Sequence, residues 1–156
     1  MLPVPVPVPV PVMESKSVLG SDVIRIPTRE VHVLLVDDDT NVRKLIELLL
    51  REEGYKLTVC KNGREALQLF EARHAELTLG IVDMIMPGLS GLELIKAIRQ
   101  VDPKFPVIII SGYSDREVTP EIAATAPTLF LQKPFQIDQL TKAISKLFRS
   151  IAEPGV

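Results

Sequence analysis

From Val31 onward the chain alternates between two patterns of hydrophobic and polar positions. Short apolar or β-branched runs occur at VHVLLV (31–36), KLTVC (56–60), LTLGIVD (77–83), PVIIIS (106–111) and TLFLQ (128–132). Segments with apolar residues at helical spacing follow each run: NVRKLIELLLREEG (41–54), NGREALQLFEARH (62–74), SGLELIKAIRQV (90–101), SDREVTPEIAATA (114–126) and QIDQLTKAISKLFRSI (136–151). In the first of these, Val42, Leu45, Ile46, Leu49 and Leu50 fall at i, i+3, i+4, i+7 and i+8, which makes one apolar stripe. Gly54 should end that helix, because glycine enters the left-handed conformation without a Cβ penalty. Pro120 lacks an N–H, so the 114–126 segment must hold it in a first turn or yield to a loop there.

Five strand–helix repeats with short links predict a parallel sheet covered on both faces. The run Val107–Ile110 shows no polar alternation, as a central strand buried on both sides requires. The expected fold is α/β, a doubly wound (βα)5 three-layer sandwich over residues 31–151. In such folds ligands bind beyond the carboxyl ends of the strands, so the residues just after each strand are the informative ones.

Composition narrows the class. The chain has 156 residues, 46% of them hydrophobic, enough for one domain with a substantial core. The net charge of −2 offers no basic field for direct nucleic-acid binding. One cysteine, Cys60, cannot form an intrachain disulfide, and with only His32 and His74 there is no zinc site of the usual kind. No apolar run approaches the roughly 18 residues needed to cross a bilayer. A cytoplasmic protein is expected, with no membrane contact. Six of the 13 prolines lie in the first 30 residues. Residues 1–12, MLPVPVPVPVPV, favour an extended polyproline conformation. They suit a semi-rigid spacer or leader, or a docking ligand for an aromatic groove. Residues 13–30 are mixed and polar and read as linker.

Chemistry concentrates at the predicted strand ends. Asp37, Asp38 and Asp39 follow the first strand, Asp83 ends the third, Ser111 and Gly112 end the fourth, and Lys133 follows the fifth. Clustered carboxylates repel unless a cation joins them or one takes a proton. An all-oxygen set suits a hard ion, and Mg²⁺ binds through one or two carboxylates and completes its shell with water and phosphate oxygens. Asp83 could act as a carboxylate nucleophile, with Lys133 and Ser111 holding phosphoryl oxygens. Asp39 is better placed as the N-cap of a helix starting near Thr40.

The segments LLVDDDTNVR, VDMIMPGLSGLEL, VIIISGYS and FLQKPF resemble the receiver domain of two-component response regulators over residues 31–150. The four motifs stand in family order, one per expected strand end. The resemblance implies a flavodoxin-like sheet in the order 2-1-3-4-5. It implies Asp83 as phosphoacceptor and metal ligand, Asp38 as direct Mg²⁺ ligand, Asp37 as ligand through water, and the backbone carbonyl of Ile85 as a further ligand. Ser111 would be the switch hydroxyl, Lys133 the lysine pairing with the phosphoryl group, and Phe130 the aromatic switch residue or simply a half-buried core aromatic. A cis bond before Pro134 is usual in the family.

The function so implied is acceptance of a phosphoryl group from a histidine kinase or phosphotransfer protein. A change then follows on the face formed by residues 114–126, 128–132 and 136–151, which binds an effector protein whose identity is open. Homodimers through that face are common in the family. Only 23 residues follow Lys133, so the expectation is a stand-alone receiver or a piece of a longer chain such as a hybrid kinase. Apolar Ile85, two residues after Asp83, and bulky Tyr113 predict slow spontaneous dephosphorylation. Two other readings stand beside this one. One is a pseudo-receiver that binds partners without phosphorylation. The other is a phosphatase with an aspartyl nucleophile, which would usually want an acid where Ile85 stands.

Overall fold

A computed structural model describes residues 31–112 and 126–152 of the chain. The Pro-Val segment, the linker, Tyr113 and nearly all of the 114–126 segment with Pro120 lie outside those residues. The described elements are β1 (His32–Val36), α1 (Thr40–Glu52), β2 (Lys56–Cys60), α2 (Gly63–Arg73) with a short 3-10 turn at His74–Glu76, β3 (Leu79–Asp83), α3 (Gly91–Val101), β4 (Val107–Ser111), β5 (Thr128–Gln132) and α4 (Ile137–Ala152). They match the predicted periodic segments to within two residues at each end.

All four strand pairings are parallel, and the sheet order is β2-β1-β3-β4-β5, as the resemblance implied. Every residue of β1, β3 and β4 is buried, which explains their unbroken apolar runs. Side chains alternate between two cores. Leu34, Val36, Val82 and Ile109 face α2 and α3, where Phe70, Leu94 and Ile98 pack against them. Val33, Leu35, Ile81 and Ile110 face the other way, toward Ile46 and Leu50 of α1 and Leu140 and Ile144 of α4. Cys60 is buried at the end of β2, and His32 is buried in β1, its Nε2 2.6 Å from Thr58 Oγ1.

Local signals set the helix ends. Asp39 caps α1 as expected, accepting from the backbone N–H groups of Asn41 (2.9 Å) and Val42 (3.1 Å). Gly54 follows α1 with φ 98°, a left-handed conformation that favours glycine. Ser90 and Glu93 form a reciprocal capping box at the start of α3. Gly91 opens α3 hard against the end of β3, with its N–H donating to the Met84 carbonyl at 2.9 Å. A Cβ there would clash with the Asp83 carbonyl oxygen and lie 2.7 Å from Met84 Cα.

The apolar stripe of α1 is only partly used, since Ile46 and Leu50 are buried while Leu45 is 56% exposed. Helix α1 meets the sheet and α4 over an arc narrower than its stripe, and Leu45 lies outside that arc.

Candidate functional site

Chain order reverses at β1, where the connection to β2 runs to one side and the later crossover to β3 runs to the other. Asp37 and Asp38 leave the end of β1, and Asp83 ends β3 beside it. One carboxylate oxygen from each of Asp37, Asp38 and Asp83 lies within 4.8 Å of the other two. The register continues the edge outward. Asp83 pairs with Ile110, one residue before Ser111, and Ser111 pairs with Gln132, one residue before Lys133. The Lys133 backbone N–H donates to the Ser111 carbonyl at 2.7 Å, so β4 and β5 end together.

The three carboxylates are not equivalent. Asp37 is fully buried, and both its oxygens are engaged: Oδ1 accepts from the Asp39 N–H at 2.9 Å, and Oδ2 lies 3.2 Å from Lys133 Nζ. The same ammonium lies 3.6 Å from Asp83 Oδ2. Asp38 is exposed and makes no side-chain hydrogen bond among the described residues, so its oxygens are free to bind a ligand. Asp83 is 5% exposed, and its carboxyl is pushed up to about 7. Burial is the main cause and the negative charge of Asp37 the next, while Lys133 and a hydrogen bond from the Ile85 backbone oppose the rise. One ammonium among three carboxylates leaves a net negative, partly buried cluster of oxygen donors with no nitrogen or sulfur ligand. That set fits a hard divalent cation.

The other expected residues fall around this cluster. Ser111 is fully buried at the end of β4. Phe130 is half-buried in β5 and packs against the core on the α2–α3 side. Ile85 turns its side chain to solvent, 52% exposed. The peptide bond between Lys133 and Pro134 is cis, as the resemblance implied. A Cβ built on Gly112 meets nothing within 4 Å, so the room there does not depend on that residue's being glycine. Sequence reasoning missed Arg43, whose Nη1 donates to the Asp37 carbonyl at 2.7 Å and pins the acidic loop to α1. Its position, one turn after the N-cap, was the only available signal.

The family model for the response regulator receiver domain matches residues 33–145. The chain belongs to that family. Relatives agree with the receiver assignment. Sporulation initiation phosphotransferase F of Bacillus subtilis is 31% identical over 114 residues, 73% of this chain and 90% of that protein. Transcriptional regulatory protein YkoG of the same organism is 32% identical over 121 residues, 76% of this chain, which spans about half (51%) of YkoG's length. Among solved structures, response regulator TrrA from Thermotoga maritima, in complex with Mg²⁺–BeF, has a TM-score of 0.66 at 34% identity, covering 75% of this chain and 98% of that one. Receiver domains accept phosphoryl groups and bind Mg²⁺ at an acidic pocket, and this receiver has such a pocket. No helix among the described residues is long and apolar enough to cross a membrane.

Proposed function

We propose that this receiver, residues 31–151, takes a phosphoryl group onto Asp83 from the phosphohistidine of a histidine kinase or phosphotransfer protein. The observation that carries the reading is the place of the Asp83 carboxylate, at the mouth of the β1–β3 crevice between Asp37 and the Lys133 ammonium. An Asp83 oxygen attacks phosphorus, a P–O bond forms, the P–N bond breaks, and the imidazole nitrogen leaves and takes up a proton. Lys133 holds a phosphoryl oxygen by charge, and the Ser111 hydroxyl donates to another. Asp38, Asp83 and the Ile85 carbonyl would hold Mg²⁺, with Asp37 acting through water. When bound, that ion would neutralise charge on the transferring group.

Once Asp83 is phosphorylated, Lys133 exchanges a carboxylate partner for a phosphoryl one, and Ser111 moves toward the new oxygens. Phe130, next to Leu131 on β5, then rotates and alters the face that binds an effector protein. Ile85, two residues after Asp83, turns an apolar side chain to solvent and offers no group to orient an attacking water, so dephosphorylation is slow. A radiolabel chase with a half-life of seconds would contradict that rate.

Intact-mass measurement after incubation with Mg²⁺ and a small acyl-phosphate donor tests the assignment. The parent should gain one phosphoryl unit, and Asp83→Asn should gain none. A folded parent that gains nothing from this donor or from a phosphohistidine donor would leave a pseudo-receiver instead. Equal gain by the variant would move the site elsewhere.

A further inference from the structure

Leu45 of α1 is 56% exposed although it belongs to an apolar stripe. It is not isolated. With Val42, Ile46 and Leu49 it forms one wall of a groove of about 410 Å³, and Pro134 and Phe135 from the loop after β5 form the other. Lys133 also lines this groove while reaching Asp37 and Asp83 with its ammonium. An open apolar channel with an aromatic wall fits an extended, uncharged segment poor in hydrogen-bond donors.

We propose that the groove is the docking site of the chain's own residues 1–12, MLPVPVPVPVPV. The chemistry matches in three respects. Prolines at positions 3, 5, 7, 9 and 11 carry no N–H, so the segment strands fewer donors against an apolar wall than an ordinary peptide would. Its ordering costs less entropy than that of an ordinary peptide, because proline already restricts the free chain to extended conformations. Its side chains are uncharged, as the Leu45 and Phe135 walls require.

Reach and repetition also favour this occupant. Residue 31 enters at the amino end of β1, and the groove lies toward the carboxyl end, one layer out. The distance is about 17 Å along a five-residue strand plus about 10 Å across a layer. Residues 13–30 supply 18 residues, a reach of up to about 60 Å. Between Val42 and Leu49, α1 rises about 10 Å, room for three or four residues of a polyproline helix. The Val-Pro repeat therefore offers about four equivalent registers, which raises the association constant about fourfold over a single one. Tethering adds an effective concentration in the millimolar range.

Methyl NMR of the full chain against a variant lacking residues 1–12 tests the docking, and it needs nothing from the phosphoryl chemistry. Removal of the segment should move the resonances of Val42, Leu45 and Leu49 and leave those of Leu94 and Ile98, on the opposite face, in place. A synthetic peptide of residues 1–12 added to the shortened protein should move the same resonances back, at about millimolar concentration. Leu45→Asp in the full chain, a change at an exposed position, should abolish the difference. Identical groove resonances in the two chains would overturn the proposal. So would groove resonances that shift with protein concentration, which would assign the groove to a second copy.

Discussion

Replacing Asp83 with Asn should stabilise the metal-free protein at neutral pH and remove a dependence of its stability on pH. Asp83 is 5% exposed, and its carboxyl rises from 3.8 to about 7, chiefly through burial and then through the charge of Asp37. An aspartate in the unfolded chain titrates at about 3.9. Between about pH 4 and pH 7 the folded state therefore holds a proton that the unfolded chain has released. Stability falls as pH rises through that window and is level above it, the opposite of a salt-bridged aspartate. The full displacement sets a ceiling of about 4 kcal/mol. The partly solvated mouth of the site and relaxation of the acidic loop reduce this, and about 1–2 kcal/mol is expected for Asp83→Asn at pH 8.

Urea midpoints in the presence of a chelator, measured for parent and variant at pH 4.5 and pH 8, report the effect directly. Titrating groups far from the site are shared by both proteins and cancel in the difference. The variant's advantage should be largest at pH 8 and shrink toward pH 4.5. Millimolar Mg²⁺ at pH 8 should raise the parent's midpoint more than the variant's, because only the parent keeps the third carboxylate of the cluster. Equal midpoints at pH 8 in chelator would refute the electrostatic reasoning. So would an advantage that does not change with pH.

Other consequences follow from particular contacts. Gly91→Ala would drive its Cβ into the Asp83 carbonyl and Met84 Cα, so a loss of about 2–3 kcal/mol is expected in thermal melts. Arg99 donates to the carbonyls of Phe105 (3.2 and 3.1 Å) and Pro127 (3.2 Å) and to Thr128 Oγ1 (2.9 Å), joining α3 to the segments leading into β4 and β5. Arg99→Met should cost about 2–4 kcal/mol in urea unfolding, and Arg99→Lys should recover only part, since an ammonium cannot span all three acceptors. The Cys60 thiol is pushed up to about 11, first by burial. At pH 8 its thiolate fraction should be about a hundred times below that of a free cysteine, so native alkylation should be slowed by about that much and restored in urea.

Some of this molecule was legible because the sequence periodicity constrains it so strongly. A doubly wound sheet puts every strand end on one edge, so Asp37, Asp83, Ser111 and Lys133 could be grouped from element order alone. The cap at Asp39 needed only its place before a helical stripe. What stayed hidden depends on contacts between elements distant in sequence. Arg43 pins the Asp37 carbonyl and Arg99 reaches segments up to 29 residues away, and nothing in their local patterns separates them from surface arginines. The clearest case is α1. Five residues share its apolar stripe, but periodicity states only which side chains point the same way. The width of the contact is set by α4 and the sheet, and it covers Ile46 and Leu50 while leaving Leu45 in water. A stripe wider than its contact is a reason to look for a second partner. In this chain, 31 residues precede the sheet, and the first 12 of them are suited to such a groove.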